Sequence, residues 1–395
     1  MLVGLKTSRK GSMQAKESSA QCCCVKPLKK SRNCAFFDYA DSMARWLIWL
    51  TGLSGLIMPV HASNDVPFDF GSGYLTFYLD NDLFGNRDQD YTNGARLSWI
   101  SGNRKMSDIG SIQRLLRPLT GDHQSFKSIQ QFTRFEKPNE VAYNYGFSVT
   151  QLMFTPEEFA SRVQPAGQRR YAGWTALGFS LHAKDRKKLN TVEFLIGITG
   201  KYSFAEDAQN FIHDVRNIDE FRGWDNQIPT EVTADLSFLQ RRRIAFGSFS
   251  EIVSFDGFTE WGARLGTFRT TAQMGGMVRY GLYLPTDFSD PRLSETAYTH
   301  KFVDADFHEA HPWSLYVLSG CRGYAIAHDA TLDGPLFSGF STGNTREPFV
   351  GEVYAGIGWR LRAMEISYAH TWRTEEYQEQ PGDANFGTVS VRMQF

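Results

Sequence analysis

Gln209 and His213 stand four residues apart, a spacing that puts an amide and an imidazole on one face of a helix. An imidazole exchanges protons near neutral pH, so the pair suits the handling of a water molecule. The segment opens on Ser203-Phe204-Ala205-Glu206, an S-x-x-E pattern that predicts a capping box and a short helix. Phe204, Ala208, Phe211 and Val215 are then expected to pack that helix against the body of the protein. A loop helix with a merely solvated histidine fits the same spacing. A second cluster lies far upstream, where Asn81-Asp82 and Thr92 offer the hard oxygen ligands that Ca²⁺ prefers. Softer metals want more His or Cys. Asn-Asp and Thr-Asn-Gly are also ordinary turn residues. No phosphate-binding loop or paired CxxC occurs.

The elements that must carry these residues are strands. The chain has 395 residues with 42 Lys and Arg against 43 Asp and Glu, which leaves no basic face for nucleic acid. Aromatics make up 14% and there are 35 glycines, a composition suited to many short strands with interfacial rings. The long apolar stretch from Trp46 to Val60 is shorter than the roughly twenty residues of a helical span and contains Gly52 and Pro59. With Arg45 before it and Val60-His61-Ala62 after it, it reads as a secretory signal. Met43 is read as the true start, residues 1–62 as presequence and signal, and residues 63–395 as one mature domain beginning at Ser63. Cys22, Cys23, Cys24 and Cys34 fall in the removed part, leaving Cys321 alone.

The mature chain alternates apolar and polar residues. At its end Val389, Val391, Met393 and Phe395 point one way and Ser390, Arg392 and Gln394 the other. Thirteen such stretches lie between Gly73 and Phe395. Bacterial single-chain barrels have even strand numbers. Phe246 to Val253 is therefore merged with Glu260 to Thr267, with Asp256-Gly257 as a bulge. The expectation is an all-β, transmembrane antiparallel barrel of twelve strands in the outer membrane, with a short helix in an extracellular loop. With both termini periplasmic, the connections after strands one, three and five face outward. They carry Asn81 to Thr92, Gln151 to Tyr171 and Gly200 to Pro229. The stretch from Ser101 to Ala142 becomes a periplasmic excursion with a helix near Ile109 to Leu116. The barrel-assembly machinery is an expected partner.

Leu79-Asp80-Asn81-Asp82, followed by Asp90-Tyr91-Thr92-Asn93-Gly94-Ala95-Arg96-Leu97-Ser98-Trp99, resembles the opening signature of the lipid A 3′-O-deacylase family of outer-membrane enzymes. In order along the chain, Gln151 to Pro156 resembles that family's Q-x-x-Y-[ST]-P segment. Arg170-Tyr171-Ala172-Gly173-Trp174 resembles its R-x-Y-A-G-W strand start. Ala208 to His213 resembles its Q-N-x-x-H helix, and Trp224-Asp225-Asn226-Gln227 its tryptophan-led loop end. The resemblance implies a twelve-stranded barrel that hydrolyses an acyl ester of lipopolysaccharide with Ca²⁺. It implies His213 as general base, Gln209 to orient the imidazole or the water, and Asp82 with Asn81 and Thr92 around the metal.

The chain departs from the family where a Glu and a Tyr follow the base, since Asp219 and Phe221 stand there, with Glu220 as a substitute carboxylate. Ser161 replaces a substrate-facing lysine, and the adjacent Arg162 is the candidate contact for a lipid phosphate. A glycerophospholipid hydrolase would need the same ester chemistry. A catalytically silent barrel would need neither Gln209 nor His213.

Overall fold

In the computed structural model the last strand alternates as its sequence does. Met393 and Phe395 are exposed on one face, and Ser390 and Arg392 are buried on the other. Residues 73–82, 93–105, 133–136, 141–158, 161–216, 222–293 and 311–395 are described, with the side chains of 212, 215 and 216 excepted. The presequence, signal and Ile109 to Leu116 assignments lie outside them.

Twelve antiparallel strands close into a barrel in chain order, β1 pairing with both β2 and β12. They are β1 (Tyr74–Asn81), β2 (Asn93–Ile100), β3 (Ala142–Phe154), β4 (Ala172–Lys184), β5 (Lys188–Thr199), β6 (Val232–Ser248), β7 (Val253–Gly266), β8 (Arg269–Leu282), β9 (Trp313–Asp329), β10 (Phe349–Leu361), β11 (Met364–Arg373) and β12 (Ala384–Gln394). Phe395 and Gly73 exchange two backbone hydrogen bonds at the seam, of 3.0 and 3.2 Å. Closure leaves no strand edge, which a bilayer requires because lipid cannot satisfy backbone polar groups.

The count of twelve holds, but one strand is divided differently. Phe246 to Ser248 finish β6, residues 249–252 make a tight turn, and β7 starts at Val253. The bulge lies in β6 between Arg243 and Ala245, opposite Gly257. The expected bulge at Asp256-Gly257 is therefore corrected. Asp256 is buried, and Arg279 Nε donates to it at 2.9 Å, which keeps β7 regular across this pair.

Outward rows are apolar and exposed, as with Leu75, Phe77, Phe147, Val149 and Leu177. Inward rows are polar and buried. The segment after β8 folds into the lumen, where Asp290 Oδ2 accepts from Arg241 at 2.9 Å, Arg292 at 2.9 Å and Arg322 at 3.1 Å. From there Arg292 pairs with Glu352 at 2.5 Å, and Arg373 joins Glu352 and Glu376 at 3.1 and 3.4 Å. Arg169 reaches the same Glu376 at 2.9 Å from the loop after β3. A buried charge is tolerable only when it is paired and hydrogen-bonded, and each member of this chain supplies its neighbour.

Removing Asp290 would leave three buried guanidiniums facing each other. Asp290→Ala is expected to cost about 3–5 kcal/mol and to lower the unfolding midpoint of the purified barrel in detergent. An unchanged midpoint would show that the lumen does not depend on this carboxylate.

Candidate active site

The end of the barrel where odd strands finish, here the upper end, carries the loops after β1, β3 and β5. The third of these turns through a 3-10 segment, Gly200–Ser203, into α1 (Ala205–Arg216). The helix exists where expected, but the capping box does not form. Phe204 takes a left-handed conformation with φ of 56° and precedes the first helical residue, so Ser203 sits a position too early. Its Oγ instead accepts from the N–H of Ala205 at 3.4 Å. Glu206 and Asp207 lie in the first turn, favourable to the helix dipole. Burial, then Asp225 and Asp207 nearby, push the Glu206 carboxyl up.

The helix lies against the outside of the wall. On β3 and β4 the odd residues face outward, as the exposed Phe147, Val149 and Leu177 show, and that row continues upward to Gln151, Met153, Gly173 and Thr175. Gln151 Nε2 and Thr175 Oγ1 both donate to the carbonyl of Ser203, at 2.9 and 2.6 Å. A Cβ on Gly173 would lie 2.5 Å from that of Ala205 and closer still to the Ser203 hydroxyl, so only glycine admits the segment. Met153, Tyr171, Ala205 and Trp224 form the buried contact, with Ala208 against it.

The buried stripe of α1 is Ala205, Gln209 and His213, each at the i+4 step. Phe204 and Phe211, expected to pack inward, are instead 62% and 65% exposed, as is Tyr202 at 62%. The side chain of Val215 lies outside the described residues. A helix on the outside of a membrane barrel has lipid as a neighbour, so its aromatic side has no reason to turn inward.

The cross-strand register runs Asn81 to Asn93, Asn93 to Met153 and Met153 to Gly173. This outward row crosses four strands in roughly 14 Å, and α1 is about 18 Å long. Asn81 therefore shares one face and one level with the seat of the helix. Asp82 follows it and is buried. Thr92, Asp219 and Glu220 lie outside the described residues. Arg162 is exposed, and its carbonyl accepts from Asn226 Nδ2 at 2.6 Å, which ties the second loop to the Trp224 turn.

Asn93, which residue type alone does not single out, lies opposite Asn81. Its Oδ1 is buried with no hydrogen-bond partner among the described residues. Asn93 is the register partner of Asn81, next to Asp82 in the chain, and these residues carry oxygen donors of the type Ca²⁺ takes. Among the described residues there is no group of three or more His, Cys, Asp or Glu that could hold a metal ion.

A lumenal cavity of about 70 Å³ is lined in part by Arg96, Arg264, Arg269 and Arg373. Arg96 is paired with Glu193, Arg264 with Asp235, Arg269 with Asp329 and Arg373 with Glu352. Gln209 and His213 are not in its lining; both are buried on the outer wall instead.

Gly173→Val should lift α1 from the wall. The expected result is a folded, heat-modifiable barrel with at least about a hundredfold less activity. Wild-type activity in this variant would separate the helix seat from the chemistry.

The family described as outer membrane protein LpxR matches residues 47–395. Among solved structures, LpxR from Salmonella typhimurium has a TM-score of 0.61 at 15% identity, covering 81% of this chain and 99% of that one. The β domain of the Bordetella autotransporter BrkA gives 0.37 at 10% identity, over 82% and 99%. The translocator domain of NalP from Neisseria meningitidis gives 0.33 at 9%, over 91% and 98%. No curated protein matches the chain. A family match over so much of the chain, on a twelve-stranded barrel, settles membership: this chain belongs to the LpxR family of outer membrane proteins.

Proposed function

We propose that this protein is a Ca²⁺-dependent lipid A 3′-O-deacylase that hydrolyses the ester-linked 3′ acyl group of lipopolysaccharide. The observation that carries the reading is the inverted helix. Gln209 and His213 are buried between α1 and the outward wall, while Tyr202, Phe204 and Phe211 are exposed beside lipid-facing rows. A lipid ester can reach such a site sideways from the bilayer, whereas a soluble substrate would have no use for it. With both termini periplasmic, the upper end and α1 face the outer leaflet. The ion-paired lumen speaks against a porin role.

His213 takes a proton from water as the water attacks the ester carbonyl, then returns it to the departing sugar oxygen. No serine or cysteine nucleophile is required. Asp82, Asn81 and Thr92, with Asn93, are the residues that would hold Ca²⁺, which when bound polarises the carbonyl and stabilises the charge developing on its oxygen. Asp219 or Glu220 would support His213 in place of the family's glutamate. Arg162 is exposed on the rim, within the second loop, and suits a lipid phosphate.

Lipid A from cells expressing the wild type should lose the mass of one 3′ acyl or acyloxyacyl group. His213→Gln should abolish this at matched levels of folded barrel. Glutamine can hold water but cannot accept its proton, and loss of a base costs about a hundred- to ten-thousandfold in rate. Asp82→Ala and excess chelator should act alike. Deacylation by His213→Gln at near the wild-type rate would remove His213 as the base, and full activity in chelator would remove the metal. Mass loss from glycerophospholipid instead of lipid A would change the substrate.

A further inference from the structure

The indole N–H of Trp224 donates to Gln209 Oε1 at 2.7 Å. Both side chains are buried, Trp224 at 1% and Gln209 at 4% exposure. An indole nitrogen only donates, so its partner must be the amide oxygen, and the orientation of the amide follows from chemistry. Flipping it would lose that bond and set an NH₂ against an N–H. The other end of the amide, Gln209 Nε2, is buried and has no hydrogen-bond partner among the described residues.

Trp224 is itself held. Its ring lies 5.1 Å from that of Tyr171, and Gly223 beside it has no room for a Cβ against Tyr171. The Tyr171 carbonyl accepts from the N–H of Ile228 at 2.9 Å, which fixes the far end of the turn. Strand β4 thus positions the turn, the turn positions the indole, and the indole fixes the amide. Gln209 can present only donors on its free side. It lies one helical turn before His213, and both are buried on the same face of the helix.

We infer that Trp224 is a positioning residue, holding Gln209 as a fixed hydrogen-bond donor to the carbonyl oxygen of the bound ester. This rests on the hydrolase reading above. As water adds to the carbonyl carbon, the C–O π pair moves onto that oxygen and its negative charge is met by Nε2–H. When the tetrahedral carbon collapses, the pair returns, the bond to the sugar oxygen breaks, and His213 gives its proton to the leaving group. A donor aimed where charge develops accelerates the step without tightening substrate binding. Gln209 then touches the reacting oxygen and is a catalytic residue.

The test is steady-state kinetics of the purified full-length barrel on lipid A in mixed micelles with Ca²⁺. Gln209→Ala should lower kcat by about a hundred- to a thousandfold with KM little changed. Trp224→Phe, which keeps the ring and removes the N–H, should lower kcat about tenfold. In the Gln209→Ala background, Trp224→Phe should change kcat by less than about twofold, because the residue it acts through is gone. Gln209→Glu carries the test if Trp224→Phe does not fold, since it still accepts from the indole but presents an acceptor to the ester. Its kcat should fall as far as that of Gln209→Ala. Multiplying losses in the double variant, a loss seen only in KM, or full kcat in Gln209→Glu would each overturn the inference. A wild-type barrel that releases no fatty acid would instead overturn the hydrolase reading.

Discussion

The Ser203 carbonyl, gripped by Gln151 and Thr175 from two neighbouring strands, is the contact on which the rest of the site depends. Those two donors fix the point where the loop after β5 turns down the outside of the barrel. Gly173 lets the turn approach without a Cβ in the way. Every residue of α1 is then placed by helical geometry from that anchor, and the stripe facing the wall is Ala205, Gln209 and His213. The proposed chemistry lies in the crevice between the closed barrel wall and one helix. Sites built this way keep their geometry because the scaffold element does not move when the substrate binds.

The lumen serves that rigidity. A polar interior without ion pairing would fill with water and leave the wall free to breathe. Here Arg241, Arg292 and Arg322 converge on Asp290, and the chain of pairs continues to Arg169 at the upper rim. Trp174 stacks on Phe268 at 4.1 Å and donates to Thr233 at 2.9 Å, stiffening the wall behind the helix seat. The residue before it, Gly173, faces the helix on the other side of the same strand. One short motif therefore serves two faces, a lumenal anchor and a vacancy on the outer wall.

How much of this was legible in the sequence depends on the range of each interaction. Strand alternation has a period of two residues and is local, so the strands could be read as stretches, while the count of twelve needed the even-number rule and the division between β6 and β7 was not legible. The bulge at Arg243–Ala245 is a property of two strands together, and alternation in one strand does not show which partner holds the extra residue. Aromatic residues predict a face packed on protein, but beside a bilayer they can face outward, and Phe204 and Phe211 turn away from the wall. The capping box failed through the backbone of one residue, Phe204. Asn93 stood in the quoted signature, and only the β1–β2 register reveals that it faces Asn81. Trp224 and Gln209 are fifteen positions apart, and their bond exists only once β4 and the loop are folded together.

The central claim is that substrate is met on the outer wall under α1 and not in the lumen. It is tested most directly by a photoreactive phenylalanine analogue placed at Phe211, on the exposed side of the helix, or at Tyr324, on the lining of the lumenal cavity. Illumination of whole cells should attach lipopolysaccharide to the protein through position 211 and not through position 324. Capture through 324 with none through 211 would contradict the account and return the site to the barrel interior.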